Sequence, residues 1–452
     1  MAARLILLSA ILAASAVAQQ IGKATPEVHP LLPTWECTLA GGCVEKSTSL
    51  VLDSEYRWTH TAEGTNCKAN GLNPTICPDA KTCSSACVLE GANYTTSGIS
   101  TNGSELTLHL FVNTSTSSSS PTLASPRVYL LANDSTYDMF SLLGKEFTFD
   151  VDVSHLPCGT NGALYFSEMS PTGGQSTLNP AGAAYGTGYC DAQCPTPAFI
   201  NGEANIAASH GACCSEMDIW EANSRATAYT PHPCNVTSLY QCSKPLCERQ
   251  GKYDSVCDKD GCDFNPHRVG QQAYYAPNST AIDTNRTFTV VTQFLTTGTN
   301  GTGDGDLREI RRLYVQDGKL VENAQVQAQG IDRGNSLTDE FCAQEKRAFG
   351  GAVNAFAAQG GMRAMGDALA RGMVLVFSVW ADQGGSEMKW LDGTWPRGAD
   401  PAKEPGTGRG PCKVGEGTVE DVQAGGLGVW VRFSNVKSGE IGSTYGVGKG
   451  RG

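Results

Sequence analysis

Phe147-Thr148-Phe149-Asp150-Val151-Asp152-Val153 alternates a large apolar side chain with a short polar one at every step. A β-strand turns successive side chains to opposite faces, so this stretch offers one face to a core and the other away from it. The same period recurs with Phe288, Val290 and Phe294 on one face, and in shorter runs at Leu106 to Phe111, Val374 to Trp380 and Val429 to Phe433. Segments rich in Gly, Asn, Asp, Ser and Thr separate these runs. The pattern predicts an all-β fold, an antiparallel two-sheet sandwich with long loops. Asp339 to Phe349 and Gly361 to Arg371 are the only stretches that read as helical, and both are short. No Gly-x-Gly-x-x-Gly or phosphate-binding loop follows a strand, which disfavours a nucleotide-binding α/β fold.

Composition narrows the class. The chain has 452 residues, 40% hydrophobic and 17% charged, enough apolar material for a full core. Lys and Arg number 33 against 45 Asp and Glu, a formal charge of −12 with no basic block, so a nucleic-acid partner is not expected. Arg4 precedes an apolar run from Leu5 to Ala14, and Ala16-Val17-Ala18 supplies small residues. Residues 1–18 therefore read as a signal peptide cleaved after Ala18, too short for a span of about 30 Å of hydrocarbon. A secreted, extracellular chain without a membrane partner follows. All 18 cysteines lie beyond that leader, an even number in an oxidising compartment, and nine disulfides are expected. Cys83-x3-Cys87, Cys190-x3-Cys194 and Cys213-Cys214 are not read as metal ligands, because no second Cys/His pair follows at zinc spacing. Eight Asn-x-Ser/Thr sequons suit a glycosylated surface. The polar run Thr114 to Ser120 reads as a loop, which leaves residues 19–452 as one domain, expected to be a monomer.

Chemistry concentrates in Cys213-Cys214-Ser215-Glu216-Met217-Asp218-Ile219-Trp220-Glu221-Ala222-Asn223. On a strand, Glu216 and Asp218 share one face while Met217 and Ile219 enter the core. Regular pleating would turn Glu221 away, since it lies an odd number of positions from Glu216. A β-bulge between Asp218 and Glu221 would return it to the shared face. Two glutamates leaning together match a retaining glycosidase, whose carboxyl groups stand about 5 to 5.5 Å apart across the scissile bond. One attacks as an anion; the other keeps a proton, its pKa raised by repulsion and desolvation. The alternation with large apolar groups speaks against a solvated acidic edge, and calcium prefers flexible loop oxygens.

The stretch from Cys213 to Asn223, followed by Thr230-Pro231-His232-Pro233-Cys234, resembles the signature of glycoside hydrolase family 7, the fungal cellobiohydrolases and type I endoglucanases. Similar segments run in order along the chain: Tyr56-Arg57-Trp58-Thr59-His60, Phe147 to Val153, Gly162-Ala163-Leu164-Tyr165-Phe166, Tyr185-Gly186-Thr187-Gly188-Tyr189-Cys190, Gly372 to Val376 and Ile441-Gly442-Ser443-Thr444. The resemblance implies a curved two-sheet β-jelly roll with a long cellulose-binding cleft on its concave face. It implies Glu216 as nucleophile, Asp218 as the assisting acid and Glu221 as general acid/base. His232 resembles the histidine beside the acid/base, with positioning favoured over proton transfer. The family's disulfide pattern pairs every cysteine, including Cys158 with Cys412 and Cys262 with Cys342. The resemblance implies neither metal nor organic cofactor, and no appended carbohydrate-binding module is expected.

Glucan chains present flat apolar faces rimmed by hydroxyls, so a cleft needs aromatic platforms and planar polar groups. Trp380 and Trp390 resemble two sugar-stacking platforms near the cleavage point, and Trp58 an outer one. Tyr165, Gln193, Arg268 and Arg409 resemble polar contacts along the cleft, while Trp35, Trp220, Trp395 and Trp430 read as core or rim. Tyr56 stands where the cellobiohydrolases carry Trp, which weakens one stacking site.

Only residues 195–212 separate Cys194 from Cys213, and only residues 248–256 separate Cys247 from Cys257, both shorter than the roofing loops of the cellobiohydrolases. The loop from Leu391 to Cys412 is long and keeps Arg409, as in the tunnel-forming enzymes. The expectation is an endo-β-1,4-glucanase acting on cellulose and other β-glucan chains. The alternatives are a processive cellobiohydrolase, a family 16-type β-1,3-1,4-glucanase, and a non-catalytic lectin that keeps the groove.

Overall fold

The alternation from Phe147 onward takes effect as a strand over Lys145–Asp152, and Phe147, Phe149, Val151 and Val153 are all fully buried. The structure is a computed structural model that describes residues 19–446 apart from 69–70, 114–120, 244–246, 248–254, 302, 304, 352 and 383–386. The leader, the Thr114 to Ser120 run and most of the segment between Cys247 and Cys257 lie outside the described residues.

In chain order the main strands are β1 (Thr34–Thr38), β2 (Glu105–His109), β3 (Arg127–Asn133), β4 (Lys145–Asp152), β5 (Thr160–Ser167), β6 (Glu216–Ala222), β7 (Thr227–His232), β8 (Phe288–Thr296), β9 (Leu307–Gln316), β10 (Met373–Ala381) and β11 (Trp430–Glu440). One sheet runs β3-β10-β5-β6-β7, and the other runs β9-β8-β4-β11-β1 with β2 also pairing β11. Pairing among these strands is antiparallel with one exception. The first strand, β1, lies parallel to the last, Trp35 opposite Lys437. A parallel pair needs a long crossover, and here nearly the whole chain supplies it.

Between the sheets, side chains of alternate residues interlock. Phe147 of β4 meets Phe166 of β5 edge-on at 4.9 Å, Phe149 meets Trp220 of β6 at 6.2 Å, and Phe377 of β10 meets Phe433 of β11 at 5.5 Å. Residues of opposite parity on the same strands, Ala163 and Tyr165 of β5 with Ser378 and Trp380 of β10, line a cavity on the outer face of the first sheet. The strand period thus makes a core on one side and a cleft on the other.

Both helices expected from sequence form, as α2 (Asp339–Ala348) and α4 (Gly361–Arg371). Four shorter ones went unread: α1 (Ala80–Ala86), α3 (Ala355–Ala358), α5 (Lys389–Asp392) and α6 (Val419–Gly425). Helices this short have no room for an apolar period and depend on their ends. The Asp79 side chain accepts from the Thr82 amide at the start of α1, and Thr418 with Asp421 forms a reciprocal capping box on α6.

All 18 cysteines are joined in nine disulfides, including Cys158–Cys412 and Cys262–Cys342. The paired neighbours Cys213 and Cys214 go to Cys194 and Cys190, which pins the loop before β6 to the strand it feeds. Among the described residues no helix is long and apolar enough to cross a membrane.

Candidate active site

The pairing of β6 explains where its acids point. Against β7, Asp218 lies opposite Thr230 and Glu221 opposite Ala228, so three steps on one strand match two on the other. Against β5, Asp218 lies opposite Tyr165 and Trp220 opposite Leu164, leaving Ile219 out of register. This is the β-bulge that the odd spacing of the glutamates requires. It sends Ile219 and Trp220 together into the core and returns Glu221 to the side of Glu216 and Asp218, and all three acids line the cavity of about 910 Å³.

Each acid has its own partners. Glu216 Oε2 accepts from the Ala192 amide at 3.1 Å, and Glu221 Oε1 from the Asn161 side-chain amide at 2.9 Å. Asp218 lies between them in sequence and pairs with His232 Nε2 at 3.1 Å. Burial first, then the charge of Asp218, raises Glu221 to about 8. Burial, Asp218 and Asp191 also hold Glu216 well above the usual carboxylate range, while the His232 cation and the Ala192 amide pull the other way. Burial opposes charge on His232, but its bond to Asp218 and the carboxylates around it win and raise it to about 10. The two glutamates therefore do not both ionise at neutral pH. The imidazolium favours the anion on both glutamates; Glu216, whose Oε2 also accepts from a backbone amide in the disulfide-pinned Cys190–Cys194 loop, is the better place for the charge, and Glu221 for the remaining proton.

In the same cavity, the rings of Trp380 and Trp390 stack at 6.2 Å and 25°. Trp390 rides on α5, which is held from below: Asp392 Oδ2 accepts from the Gly159 amide and from Asn223 Nδ2 at 2.9 and 2.8 Å. On the floor, the Tyr165 and Tyr189 hydroxyls meet at 2.9 Å, and Tyr189 donates to Asp191 at 2.7 Å. Arg127 lies 3.4 Å from the Tyr189 ring and pairs with the buried Asp53. Paired carboxylates in one cavity with stacked aromatic rings and tyrosine hydroxyls suit acid-base cleavage of a sugar chain.

The sequence profile of glycosyl hydrolase family 7 matches residues 21–445. The chain belongs to glycosyl hydrolase family 7. A protein of Aspergillus terreus named a probable endo-beta-1,4-glucanase celB is 50% identical over 431 residues, 94% of each chain. The Humicola insolens endocellulase superimposes with a TM-score of 0.82 at 43% identity, covering 94% of this chain and all of that one. A family 7 cellobiohydrolase of Daphnia pulex gives a TM-score of 0.88 at 40% identity with the same coverage. The all-β sandwich is thus shared with family 7 cellulases of both kinds.

Within this family 7 cleft, Glu216, Asp218, Glu221, His232, Tyr165, Gln193, Trp380, Trp390 and Arg409 all line the cavity. Two expected contacts do not. Trp58 is 46% exposed outside it, stacked on His60 at 3.7 Å. Arg268 stands behind Arg409, its guanidinium committed to Asp263 and Glu345, its Nε to the Gly406 carbonyl, and its plane over the Phe349 ring. Two buried carboxylates take that cation out of the cleft, whereas Arg409 shares Asp263 at 3.0 Å and still reaches the cavity. Trp220 is fully buried, and Trp395 reaches the rim.

Sequence reading missed Arg127, Tyr189, Asp191, Lys259, Asp260 and Asp263, all of which line the cavity. Asp191 carried a signal: it lies between the disulfide-forming Cys190 and Cys194, in a loop cross-linked to the start of β6. Gln193 and Lys259 join two lining loops by reciprocal bonds, Gln193 Nε2 to the Lys259 carbonyl at 2.7 Å and Lys259 Nζ to the Gln193 carbonyl at 2.8 Å.

Proposed function

We propose that this family 7 chain is a secreted endo-β-1,4-glucanase that hydrolyses internal bonds of cellulose and similar β-glucans with retention of configuration. The observation that carries the reading is the bulge at Ile219, which brings Glu216 and Glu221 to one face of one strand with Asp218 between them. Glu216 attacks the anomeric carbon while the C1–O bond to the leaving sugar breaks and Glu221 gives that oxygen its proton. Glu221, now a carboxylate, takes a proton from water as the water oxygen attacks the same carbon and releases Glu216. Two inversions leave the configuration unchanged. Carboxylates and water close the cycle, so no metal or organic cofactor enters it. Nine disulfides suit an oxidising extracellular setting.

Internal attack is supported by the course of residues 195–212. This segment folds away from the cleft onto α1, where Ser84 Oγ donates to the Gly202 carbonyl and accepts from the Ala204 amide, both at 3.0 Å. None of its residues lines the cavity. A glucan chain can then lie down in the groove without threading. The second reading, a processive cellobiohydrolase, draws on the 391–412 loop, which brings Trp395 and Arg409 to the cavity.

Glu216→Gln tests the reading. Turnover of cellotetraose falls by at least about 10⁴ while oligosaccharide binding persists, and unchanged turnover overturns it. Viscosity of carboxymethylcellulose then separates the two modes of attack, falling early for an endoglucanase and late for a cellobiohydrolase.

A further inference from the structure

Ile219 pairs in neither ladder beside β6. Its carbonyl, freed at the point where the strand changes direction, accepts a hydrogen bond from Arg312 Nη2. Arg312 belongs to β9 in the opposite sheet, at a core-facing position between Ile310 and Tyr314, and is fully buried. Its guanidinium lies 4.3 Å from the Tyr229 ring, 5.9 Å from Trp220 and 5.8 Å from Tyr314. Trp220 and Tyr229 sit on β6 and β7, the two strands between which the register slips.

A guanidinium in such a place is costly. Desolvating a cation is unfavourable, and cation–π contacts recover only part of it. Nε and Nη1 have no hydrogen-bond partner among the described residues. An apolar side chain of similar volume would fill the same space without that cost. What Arg312 supplies is a long, planar donor that crosses the core and bonds the carbonyl of the residue left out of both ladders.

We propose that Arg312 is a positioning residue for catalysis: through the Ile219 carbonyl it holds the kink that aims Glu221 into the cleft. The inference rests on reading Glu221 as the proton donor. Arg312 touches no cavity-lining carboxylate itself; it acts on where one of them points.

The test uses the dependence of rate on the leaving group. Cellotetraose leaves as a sugar alkoxide and needs a proton from Glu221, whereas 2,4-dinitrophenyl β-cellobioside leaves as a stable phenolate and needs none. With Arg312→Met, kcat/KM on cellotetraose falls by about 10² or more, while kcat/KM on the aryl glycoside falls less than about fivefold. Arg312→Lys, which keeps charge and a donor, loses less on cellotetraose. Equal losses on the two substrates, or no loss on either, overturn the proposal. Where Arg312→Met is not recovered folded, the same ratio measured on Arg312→Lys decides. Glu221→Gln is the control: its failure to show the selective loss overturns the proton-donor reading itself, and a selective loss there without one in the Arg312 variants overturns only the role of Arg312.

Discussion

His232 Nε2 lies 3.1 Å from Asp218 Oδ2, while its Nδ1 donates to the Asp258 carbonyl at 2.8 Å. A ring whose two nitrogens both face acceptors is an imidazolium, in keeping with its rise to about 10. It is thus a positive charge beside the acids, opposite Glu216 on the neighbouring strand and favouring its anionic form.

His232→Gln removes that charge and leaves the carboxylates of Asp191, Asp218 and Glu216 facing one another. Glu216 then holds its proton to higher pH. The acidic limb of the kcat/KM profile moves up by about one unit, and activity at pH values below that limb drops about tenfold. A pH–rate profile on cellotetraose checks both, and an unmoved acidic limb removes the electrostatic role.

Glu221, raised to about 8 by burial and Asp218, must be protonated to donate. Activity of the free enzyme therefore falls as pH rises through about 8. Stability follows the same sign. A carboxyl whose folded value lies above its unfolded one contributes stability fully present below the unfolded value and lost as pH rises through the folded value. The melting temperature of the wild type should decline between pH 5 and 9 more steeply than that of Glu221→Gln, which has no proton to lose.

Trp390, half-buried, and Trp58, exposed, represent two settings for an indole. Trp390→Ala removes one of a stacked pair inside the cleft and should raise KM for cellotetraose about tenfold. Trp58→Ala changes a ring stacked on His60 outside the cavity and should leave kinetics on this short substrate within about twofold. Steady-state kinetics of both variants provide the comparison.

Much of this was legible from local pattern. Alternation at Phe147 to Val153 and Val374 to Trp380 encodes which side chains face the core, because a strand's period is a property of its own backbone. The bulge was legible too, as a parity conflict: Glu216 and Glu221 cannot share a face of a regular strand. The resemblance supplied the disulfide pairing and the cleft residues that spacing alone leaves open.

The rest depends on atoms remote in sequence. Arg268 and Arg409 look equivalent along the chain, yet Glu345 captures one and leaves the other in the cleft. Trp58 and Trp390 look alike along the chain until the fold leaves Trp58 out of the cavity lining and packs Trp390 against Trp380 within it. Ile219 and Arg312 are brought together only when the two sheets close. Sequence by itself determined the strand period, the acidic cluster and the need for a kink, since these follow from neighbours a few residues apart. Tertiary structure alone decided which cations stay in the cleft and what holds the kink, since burial and pairing of a charge depend on which distant chain segment is folded against it.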